Sequence, residues 1–203
     1  MFQVDILVNN AGRSQRAEFQ AVDIRVDREL FDINTFAPVN ISRILVRRWL
    51  ERNEQGHIVL VSSIAGVIPA PFSCTYNSSK FALQSYFDTL RNETFDKNIS
   101  VTLTYPGPVV SNILRNAYTE KFGVVVNQSH DSRSKRMKTQ RCAKLIVLAT
   151  ANKVYETYIT IQPLLTLAYI YTYLPFLAKY IFPYFARRMA GKFRDGRTVQ
   201  TAD

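Results

Sequence analysis

The stretch HIVLVSSIAGVIPAPFSCTYNSSKFALQSYF, residues 57–87, decides the fold. Its first seven residues form an apolar run that ends in two serines. This pattern is typical of a strand that is buried on both faces of a parallel sheet. A helix is predicted over residues 75–95, directly after that strand. A buried strand followed closely by a helix is the unit from which α/β folds are built.

The rest of the chain repeats this alternation. Further strands are predicted over residues 5–11, 100–105 and 154–161, and further helices over residues 23–53 and 138–152. Strands that alternate with helices imply right-handed crossover connections. We therefore predict an α/β fold built on a parallel sheet.

Tyr76 and Lys80 stand four residues apart on the helix predicted over residues 75–95, so they share a face of it. A free tyrosine titrates near pH ~10 and is a poor proton donor or acceptor at neutral pH. A lysine cation beside the phenol would lower the pKa of the tyrosine toward the working range. The pair is therefore suited to exchange a proton with a carbonyl or an alcohol, although a Y-x-x-x-K spacing taken alone also arises by chance.

Ser63 lies thirteen residues before Tyr76, at the carboxyl end of the predicted strand. Ligands approach an open parallel sheet at this edge. The hydroxyl of Ser63 could act as a second hydrogen-bond donor to a substrate carbonyl, where negative charge develops. The alternative is that Ser63 caps a helix or a turn.

Asn34 lies on the predicted helix that precedes this strand, four residues before Pro38. Because proline has no N–H, the carbonyl of Asn34 loses its usual helical partner. A buried free carbonyl bonds to water, which could pass protons from Lys80 toward solvent. The alternative is a simple proline kink in a surface helix.

Length and composition allow one globular domain with a full core, since the 203 residues are 47% hydrophobic and 21% charged. Cys74 and Cys142 lie far apart and form no C-x-x-C pair. The sequence therefore carries no metal-binding signature and no disulfide framework, which favours a reducing compartment. The seven glycines are not clustered, so no glycine-rich phosphate loop is present.

The net charge of +10 comes from the second half of the chain, because basic and acidic residues balance over residues 1–100. Two basic clusters, residues 133–144 and 187–197, lack aromatic residues at base-stacking spacing, which disfavours nucleic-acid binding. The second cluster follows an apolar segment, which favours contact with an anionic membrane surface. The alternative is a solvated basic face.

Residues 157–178 contain no charged side chain, and Pro163 and Pro175 interrupt them. Seven of the eleven tyrosines lie between Tyr155 and Tyr184. Tyrosine favours the headgroup region of a membrane. We therefore predict that residues 163–203 form an apolar, then basic, helical tail that associates with a membrane surface or with a second subunit, and a plain core helix is the alternative.

Three motifs together resemble the short-chain dehydrogenase/reductase family. Its N-N-A-G strand end is similar to Asn9, Asn10, Ala11 and Gly12. Its catalytic tetrad is similar, in order and spacing, to Asn34, Ser63, Tyr76 and Lys80. Its P-G motif beside the nicotinamide is similar to Pro106, Gly107, Pro108 and Val109. The order of these motifs along the chain makes a chance match very improbable.

The resemblance implies the C-terminal part of a Rossmann-type doubly wound sheet, its strands 4–7 with flanking helices, over residues 1–162. It implies hydride transfer to a carbonyl carbon while Tyr76 delivers the proton and Ser63 binds the substrate oxygen. The expected cofactor is NADP, with NAD as the alternative, and Lys80 would hold the nicotinamide ribose. The implied cofactor contacts are Asn10, Ala11, Gly12, Tyr76, Lys80, Pro106, Gly107 and Val109.

The family pattern also has a glycine-rich turn and further βα units before N-N-A-G, so we expect an N-terminally truncated form. The nearest branch, close to the 11β-hydroxysteroid dehydrogenases, implies a reductase at the endoplasmic reticulum membrane that acts on lipophilic carbonyls such as steroids or retinoids. A cytoplasmic location, a homodimer and a substrate lid over residues 114–137 are further expectations. The alternative function is a catalytically inactive, membrane-tethered interaction protein that binds no cofactor.

Overall fold

The computed structural model describes residues 3–129, 135–184 and 186. Four parallel strands form one sheet in the order β1-β2-β3-β4. The strands are β1 (Ile6–Asn9), β2 (Gly56–Val61), β3 (Ile99–Pro106) and β4 (Glu156–Ile159). The α/β fold and the parallel sheet are therefore confirmed, although the two edge strands are shorter than predicted.

Five helices have defined bounds: α1 (Ile24–Phe31), α2 (Ala37–Arg52), α3 (Cys74–Glu93), α4 (Thr139–Ala151) and α5 (Leu164–Tyr173). The single helix predicted over residues 23–53 is wrong in one respect, because a π-helical turn, Asp32–Phe36, separates α1 from α2. Pro38 lies in the first turn of α2 and cannot donate a backbone hydrogen bond. The backbone hydrogen bonds just before Pro38 therefore span one residue more than in an α-helix, and the N–H of Ala37 bonds to the carbonyl of Asp32.

The main core lies between the sheet and the helices α2 and α3. Its central strands supply apolar side chains that are almost completely buried, among them Ile58, Leu60 and Leu103. Trp49 of α2 packs over the start of β2, where a β-carbon on Gly56 would lie 2.2 Å from the indole ring. Glycine is therefore required at that position by the close approach of the two elements.

The described part of the tail consists of two short helical segments, α5 and residues 175–184, rather than one long helix. Tyr169 of α5 packs edge-on against Tyr158 of β4, with the ring centres 5.4 Å apart. Within the described residues, each helix is too short or too polar to cross a membrane. The basic cluster of residues 187–197 lies outside the described part of the chain.

Candidate active site

Ser63 and Tyr76 meet at the carboxyl edge of the sheet. Ser63 follows β2 and caps a short 3₁₀ turn, because its hydroxyl accepts a hydrogen bond of 3.1 Å from the N–H of Ala65. The same hydroxyl lies close enough to the phenol of Tyr76, in the first turn of α3, to lower the pKa of that phenol. Ser63 therefore caps this turn beside Tyr76, and its contact with a substrate oxygen stays a prediction.

The phenol of Tyr76 is buried, with 8% of the residue's surface exposed. Burial raises its pKa, while the nearby hydroxyl of Ser63 and the positive charge of Arg16 lower the pKa and offset part of that rise. We expected Lys80 to lower the pKa of Tyr76. That expectation is wrong in this structure, because the pKa is raised overall and the cation that opposes the rise is Arg16.

Lys80 lies one turn further along α3, and its ammonium group is 5.9 Å from the ring centre of Tyr76. Only 3% of the residue is exposed, and burial lowers its pKa to about 8. Its Nζ lies 3.4 Å from the carbonyl oxygen of Val61, at the end of β2. Lys80 is therefore close to Tyr76, as the four-residue spacing predicts, and mostly protonated at neutral pH.

Asn34 is fully buried in the π-helical turn, so the alternative of a kink in a surface helix is wrong. Its Oδ1 accepts a hydrogen bond of 2.8 Å from the N–H of Arg13, and its Nδ2 donates to the carbonyl of Arg13 at 2.9 Å. Nδ2 also donates to Ser79 Oγ, which in turn donates to the carbonyl of Tyr76. The side chain of Asn34 thus links the residue after N-N-A-G to the tyrosine helix.

Gly12 completes this group of residues. A β-carbon at Gly12 would lie 3.1 Å from Asn34 Oδ1 and 3.3 Å from Lys80 Nζ. The neighbouring residues Asn10 and Ala11 are exposed. The exposed end of β1 therefore passes directly beside the buried amide of Asn34 and the buried ammonium of Lys80.

The P-G motif leaves β3 at the same edge of the sheet. The N–H of Gly107 bonds to the carbonyl of Ile159 at 2.9 Å, and a β-carbon at Gly107 would lie 1.9 Å from Thr160 Oγ1. Glycine is required here by the close packing on Thr160. Val109 packs against Met137 at the start of the segment that enters α4, and its contact with a cofactor stays a prediction, as does that of Pro106.

The described part of the predicted lid lies against the segment that follows N-N-A-G. The N–H of Tyr118 bonds to the carbonyl of Ser14 at 2.8 Å, and its hydroxyl donates to Glu29 and accepts from Arg13. Burial raises the pKa of Tyr118 to about 12. Tyr118 and Tyr76 belong to one apolar cluster. Residues 130–134 of the predicted lid lie outside the described residues.

Sequence reasoning missed Arg13, Arg16, Ser79 and Tyr118 as parts of this site. Only Ser79 carried a local signal, because it directly precedes Lys80. The other contacts join residues that are far apart in the chain, so no spacing reveals them. Among the described residues, no cluster of three or more histidine, cysteine, aspartate or glutamate side chains could hold a metal ion.

A parallel α/β sheet with a buried tyrosine and lysine at its carboxyl edge defines an α/β protein of the class that binds ligands at that edge. The family model described as short chain dehydrogenase matches residues 1–121. The chain therefore belongs to the short-chain dehydrogenase family, which confirms the resemblance and places it in a family of oxidoreductases.

Curated relatives carry closely matching sequences. Dehydrogenase/reductase SDR family member 7 of Mus musculus is 37% identical over 180 residues, which cover 88% of this chain and 53% of the relative. The human protein of that name is 35% identical over 195 residues, covering 96% of this chain and 57% of the relative. Dehydrogenase/reductase SDR family member 7B of Mus musculus is 41% identical over 134 residues, covering 64% and 41%. The chain spans about half the length of the curated relatives it matches.

Solved structures share the fold. A short chain dehydrogenase from Burkholderia cenocepacia in complex with NADP has a TM-score of 0.70 at 18% identity, covering 88% of this chain and 68% of that chain. A short chain dehydrogenase/reductase from Burkholderia phymatum in complex with NAD has a TM-score of 0.69 at 22% identity, covering 83% and 65%. At these identities the likeness concerns the fold alone.

Proposed function

We propose that the protein is a nicotinamide-dependent oxidoreductase that interconverts a carbonyl and an alcohol on a lipophilic substrate, with NADP(H) as cofactor. The observation that carries the proposal is the placement of Tyr76 at the carboxyl edge of the sheet, where the Ser63 hydroxyl is close enough to lower its pKa and the Lys80 ammonium lies 5.9 Å from the phenol ring. Two hydroxyl donors and one cation therefore converge at the edge of the sheet where ligands bind.

In the reductive direction, Tyr76 donates its phenolic proton to the carbonyl oxygen, and Ser63 donates a second hydrogen bond to that oxygen. The phenol of Tyr76 is protonated at neutral pH, and the positive charge of Arg16 favours release of its proton because it lowers the pKa. Lys80 supplies positive charge beside the phenolate that forms. Asn34 holds the start of the tyrosine helix through Ser79. A bound nicotinamide supplies the hydride that completes the reduction.

The residues around Gly12 fit the nicotinamide end of such a cofactor. Lys80 and Tyr76 would bind the ribose hydroxyls, while the exposed backbone of Asn10, Ala11 and Gly12 would lie along the cofactor. Pro106, Gly107 and Val109 would lie beside the nicotinamide. The preference for NADP(H) over NAD(H) rests on the resemblance of the sequence, and the fold neighbours named above carry either cofactor.

A lipophilic substrate, such as a steroid-like or retinoid-like carbonyl, is proposed from the resemblance of the sequence. The phenol ring of Tyr76 packs in a buried apolar cluster with Val26, Leu30, Ala65 and Tyr118, so its surroundings are apolar on that side.

The test is turnover by the protein as isolated from its natural source. We expect NADPH to be oxidised in the presence of steroid and retinal carbonyls, with slower oxidation of NADH. An exposed arginine variant, Arg28→Met, serves as a matched control and should keep wild-type turnover. Binding of neither nucleotide in equilibrium titrations would contradict the proposal.

We further propose that the tail rests on the endoplasmic reticulum membrane, with a cytoplasmic location as the alternative. Aromatic side chains on α5 and on residues 175–184 are exposed, among them Tyr173, Phe176 and Tyr180. Aromatic rings of this kind favour the headgroup region of a bilayer. Fractionation of cells should find the protein with the microsomes. Release of the protein by carbonate or by salt alone would indicate that it is held on the membrane peripherally and that the tail is not its anchor.

A homodimer is proposed from the groove between α2 and α3. Its volume is about 730 Å³, and apolar side chains of both helices line it, including Val39, Val46, Ala82 and Leu90. The helices of a second copy are suited to fill such a groove. Sedimentation should give twice the mass of one chain, and substitution of Ala82 by Arg should give the monomer mass.

A second candidate is an interaction protein without catalysis. The observation that favours it is the exposed apolar face of β1, formed by Val4, Ile6 and Val8. An edge strand with such a face is suited to pair with another polypeptide. Titration with NADPH separates the two candidates, because only the oxidoreductase requires nucleotide binding.

A further inference from the structure

Arg16 lies four residues after Gly12, in the segment that crosses the front of the sheet. Its Nη1, which carries two hydrogens, lies within hydrogen-bonding distance of three acceptors: Ser14 Oγ at 2.8 Å, the carbonyl of Gln15 at 2.7 Å and Ser73 Oγ at 2.7 Å. Two of these acceptors lie in the arginine's own segment. The third belongs to the residue that precedes the tyrosine helix.

Ser73 occupies the N-cap position of α3 but does not cap the helix. A serine at this position usually accepts a hydrogen bond from a backbone N–H in the first turn. Here its hydroxyl accepts from Arg16 and points back to the carbonyl of Pro71 at 3.4 Å. The hydroxyl of Ser73 is therefore bonded to the arginine and not to the first turn of the helix, at a point three residues before Tyr76.

Two backbone hydrogen bonds extend this link. The N–H of Ala17 bonds to the carbonyl of Phe72 at 3.0 Å, and the N–H of Arg16 bonds to the carbonyl of Tyr118 at 2.9 Å. Phe72 has a positive φ of 59°, a conformation that a phenylalanine rarely adopts unless its surroundings hold it. Arg16 is therefore the residue at which the N-N-A-G segment, the start of α3 and the predicted lid are joined.

The charge of Arg16 acts on the phenol of Tyr76 and opposes the effect of burial on its pKa. Other charged or titratable groups face the same region from each packed element. Lys80 lies beside the phenol on α3, and Asp27 of α1 accepts a hydrogen bond from Thr75. Glu29 and Arg13 both contact the hydroxyl of Tyr118. The positive charge of Arg136 lies near Arg16.

We propose that Arg16 is a positioning residue for Tyr76, which fixes the start of the tyrosine helix through Ser73 and directs its positive charge toward the phenol. The inference rests on the proposed function, because a fixed and charge-stabilised phenolate matters only where Tyr76 exchanges a proton. It assigns to an arginine outside the tetrad a role in setting the pH range of the reaction.

The first test needs no turnover. The protein is labelled with 3-fluorotyrosine, and ¹⁹F NMR follows the titration of Tyr76, whose resonance is assigned by its loss in Tyr76→Phe. In Arg16→Met we expect the midpoint to rise by about 0.5 to 1 pH unit, because an opposite charge nearby favours the ionised form. The exposed Arg28→Met should leave the midpoint unchanged. An equal midpoint in wild type and Arg16→Met would overturn the electrostatic part of the proposal.

Two conservative variants separate charge from geometry. Arg16→Lys keeps the charge and should leave the midpoint close to that of wild type. Ser73→Ala removes the acceptor of the third hydrogen bond and should speed amide hydrogen exchange in the first turn of α3 without moving the midpoint. Unchanged exchange in both Ser73→Ala and Arg16→Met would overturn the positional part.

Turnover then distinguishes this inference from the proposed function. If the wild type oxidises alcohols, the acidic limb of the pH profile of Arg16→Met should lie at a higher pH than that of wild type, by about 0.5 to 1 unit. The kcat of this variant should be reduced and its KM nearly unchanged. If the wild type binds no nucleotide and turns over no substrate, the proposed function fails whatever the NMR midpoints show. A working wild type with an unshifted limb in Arg16→Met contradicts the role of Arg16 alone.

Discussion

At the carboxyl edge of the sheet, Asn34 and Lys80 expose 0% and 3% of their surfaces, whereas Tyr173, Phe176 and Tyr184 in the C-terminal helices expose 71%, 75% and 76%. The first region places an amide and an ammonium group away from water. The second region places aromatic rings in water. Each arrangement is the reverse of what folding alone favours.

The two regions offset these unfavourable free energies in different ways. The buried amide of Asn34 is hydrogen-bonded on both its oxygen and its nitrogen, so its burial leaves no polar atom of the amide without a partner. Burial lowers the pKa of Lys80 to about 8, and no carboxylate among the described residues raises it again. Exposed aromatic rings of the tail pack against one another, as in the edge-on pair Phe176 and Tyr180. The comparison implies a small-molecule partner for the first region and an apolar surface for the second.

The largest effect is expected from Tyr76→Phe, which removes the proton donor and little else. We expect kcat for carbonyl reduction to fall by about 10³-fold, in the range that general acid catalysis contributes. Cofactor affinity should stay close to that of wild type. Tyr86→Phe, an exposed position on the same helix, is the matched control. Turnover by Tyr76→Phe near the control's rate would show that another group is the acid.

Lys80 should make stability depend on alkaline pH. Its pKa is about 8 in the folded protein and 10.5 when unperturbed. Between pH 8 and pH 10 the unfolded chain therefore binds more protons, so the free energy of unfolding rises with pH, by up to roughly 3 kcal/mol for the whole shift. Below pH 8 the cost of burying the ammonium is fully present. Tyr76, whose pKa is raised, acts with the opposite sign above pH 10.

Urea unfolding at several pH values checks this expectation. The slope between pH 8 and pH 10 should disappear in Lys80→Met, which keeps the length of the side chain and removes the charge. Lys97→Met, at an exposed position, should retain the slope. A wild-type stability that falls steadily from pH 8 to pH 10 would mean that Lys80 is not buried as an amine.

Asn34→Ala should destabilise the protein by about 2 to 3 kcal/mol, because it leaves the N–H and the carbonyl of Arg13 without their partners. Asn152→Ala removes an exposed bond to the carbonyl of Leu148 and should cost less than about 0.5 kcal/mol. Thermal and chemical unfolding measure both. Equal effects of the two substitutions would remove the distinction between the buried polar site and the surface.

The smallest effect on folding and the clearest effect on binding are expected in the tail. Substitution of Tyr173, Phe176 and Tyr184 by serine should change the free energy of unfolding by less than about 0.5 kcal/mol, since all three are exposed. Partitioning onto vesicles of phosphatidylcholine and phosphatidylserine should fall by about 100-fold or more, given the apolar area lost. Unchanged partitioning would exclude these rings as the membrane contact.

The positions of Ser63, Tyr76 and Lys80 could be predicted from the sequence because each carries a local signal, while their catalytic roles stay predictions. A four-residue spacing places Tyr76 and Lys80 on one helical face, and the end of an apolar run places Ser63 at the edge of the sheet. Asn34 was predicted for its backbone carbonyl, whereas the structure gives its side chain the hydrogen bonds. The π-helical turn that orients it has no sequence pattern beyond the nearby Pro38.

The rest of the site depends on contacts between distant segments. Arg13 meets Tyr118 and Arg16 meets Ser73 only because the chain folds back on itself, and neither pair has a periodic signature. For the same reason the pKa of Tyr76 was predicted with the wrong sign. Burial, which depends on every neighbouring element, outweighs the single lysine that the spacing reveals.

The most direct measurement is a single-turnover transfer of deuterium from NADPH labelled at the reactive C4 position to a lipophilic carbonyl, with the product examined by mass spectrometry. The account predicts deuterium on the carbinol carbon with the wild-type protein, and none above background with Tyr76→Phe although that variant still binds the labelled nucleotide. Nucleotide that stays unbound and unconsumed by the wild type, or equal transfer by both proteins, would contradict the assignment of Tyr76 as the proton donor of a nicotinamide-dependent reductase.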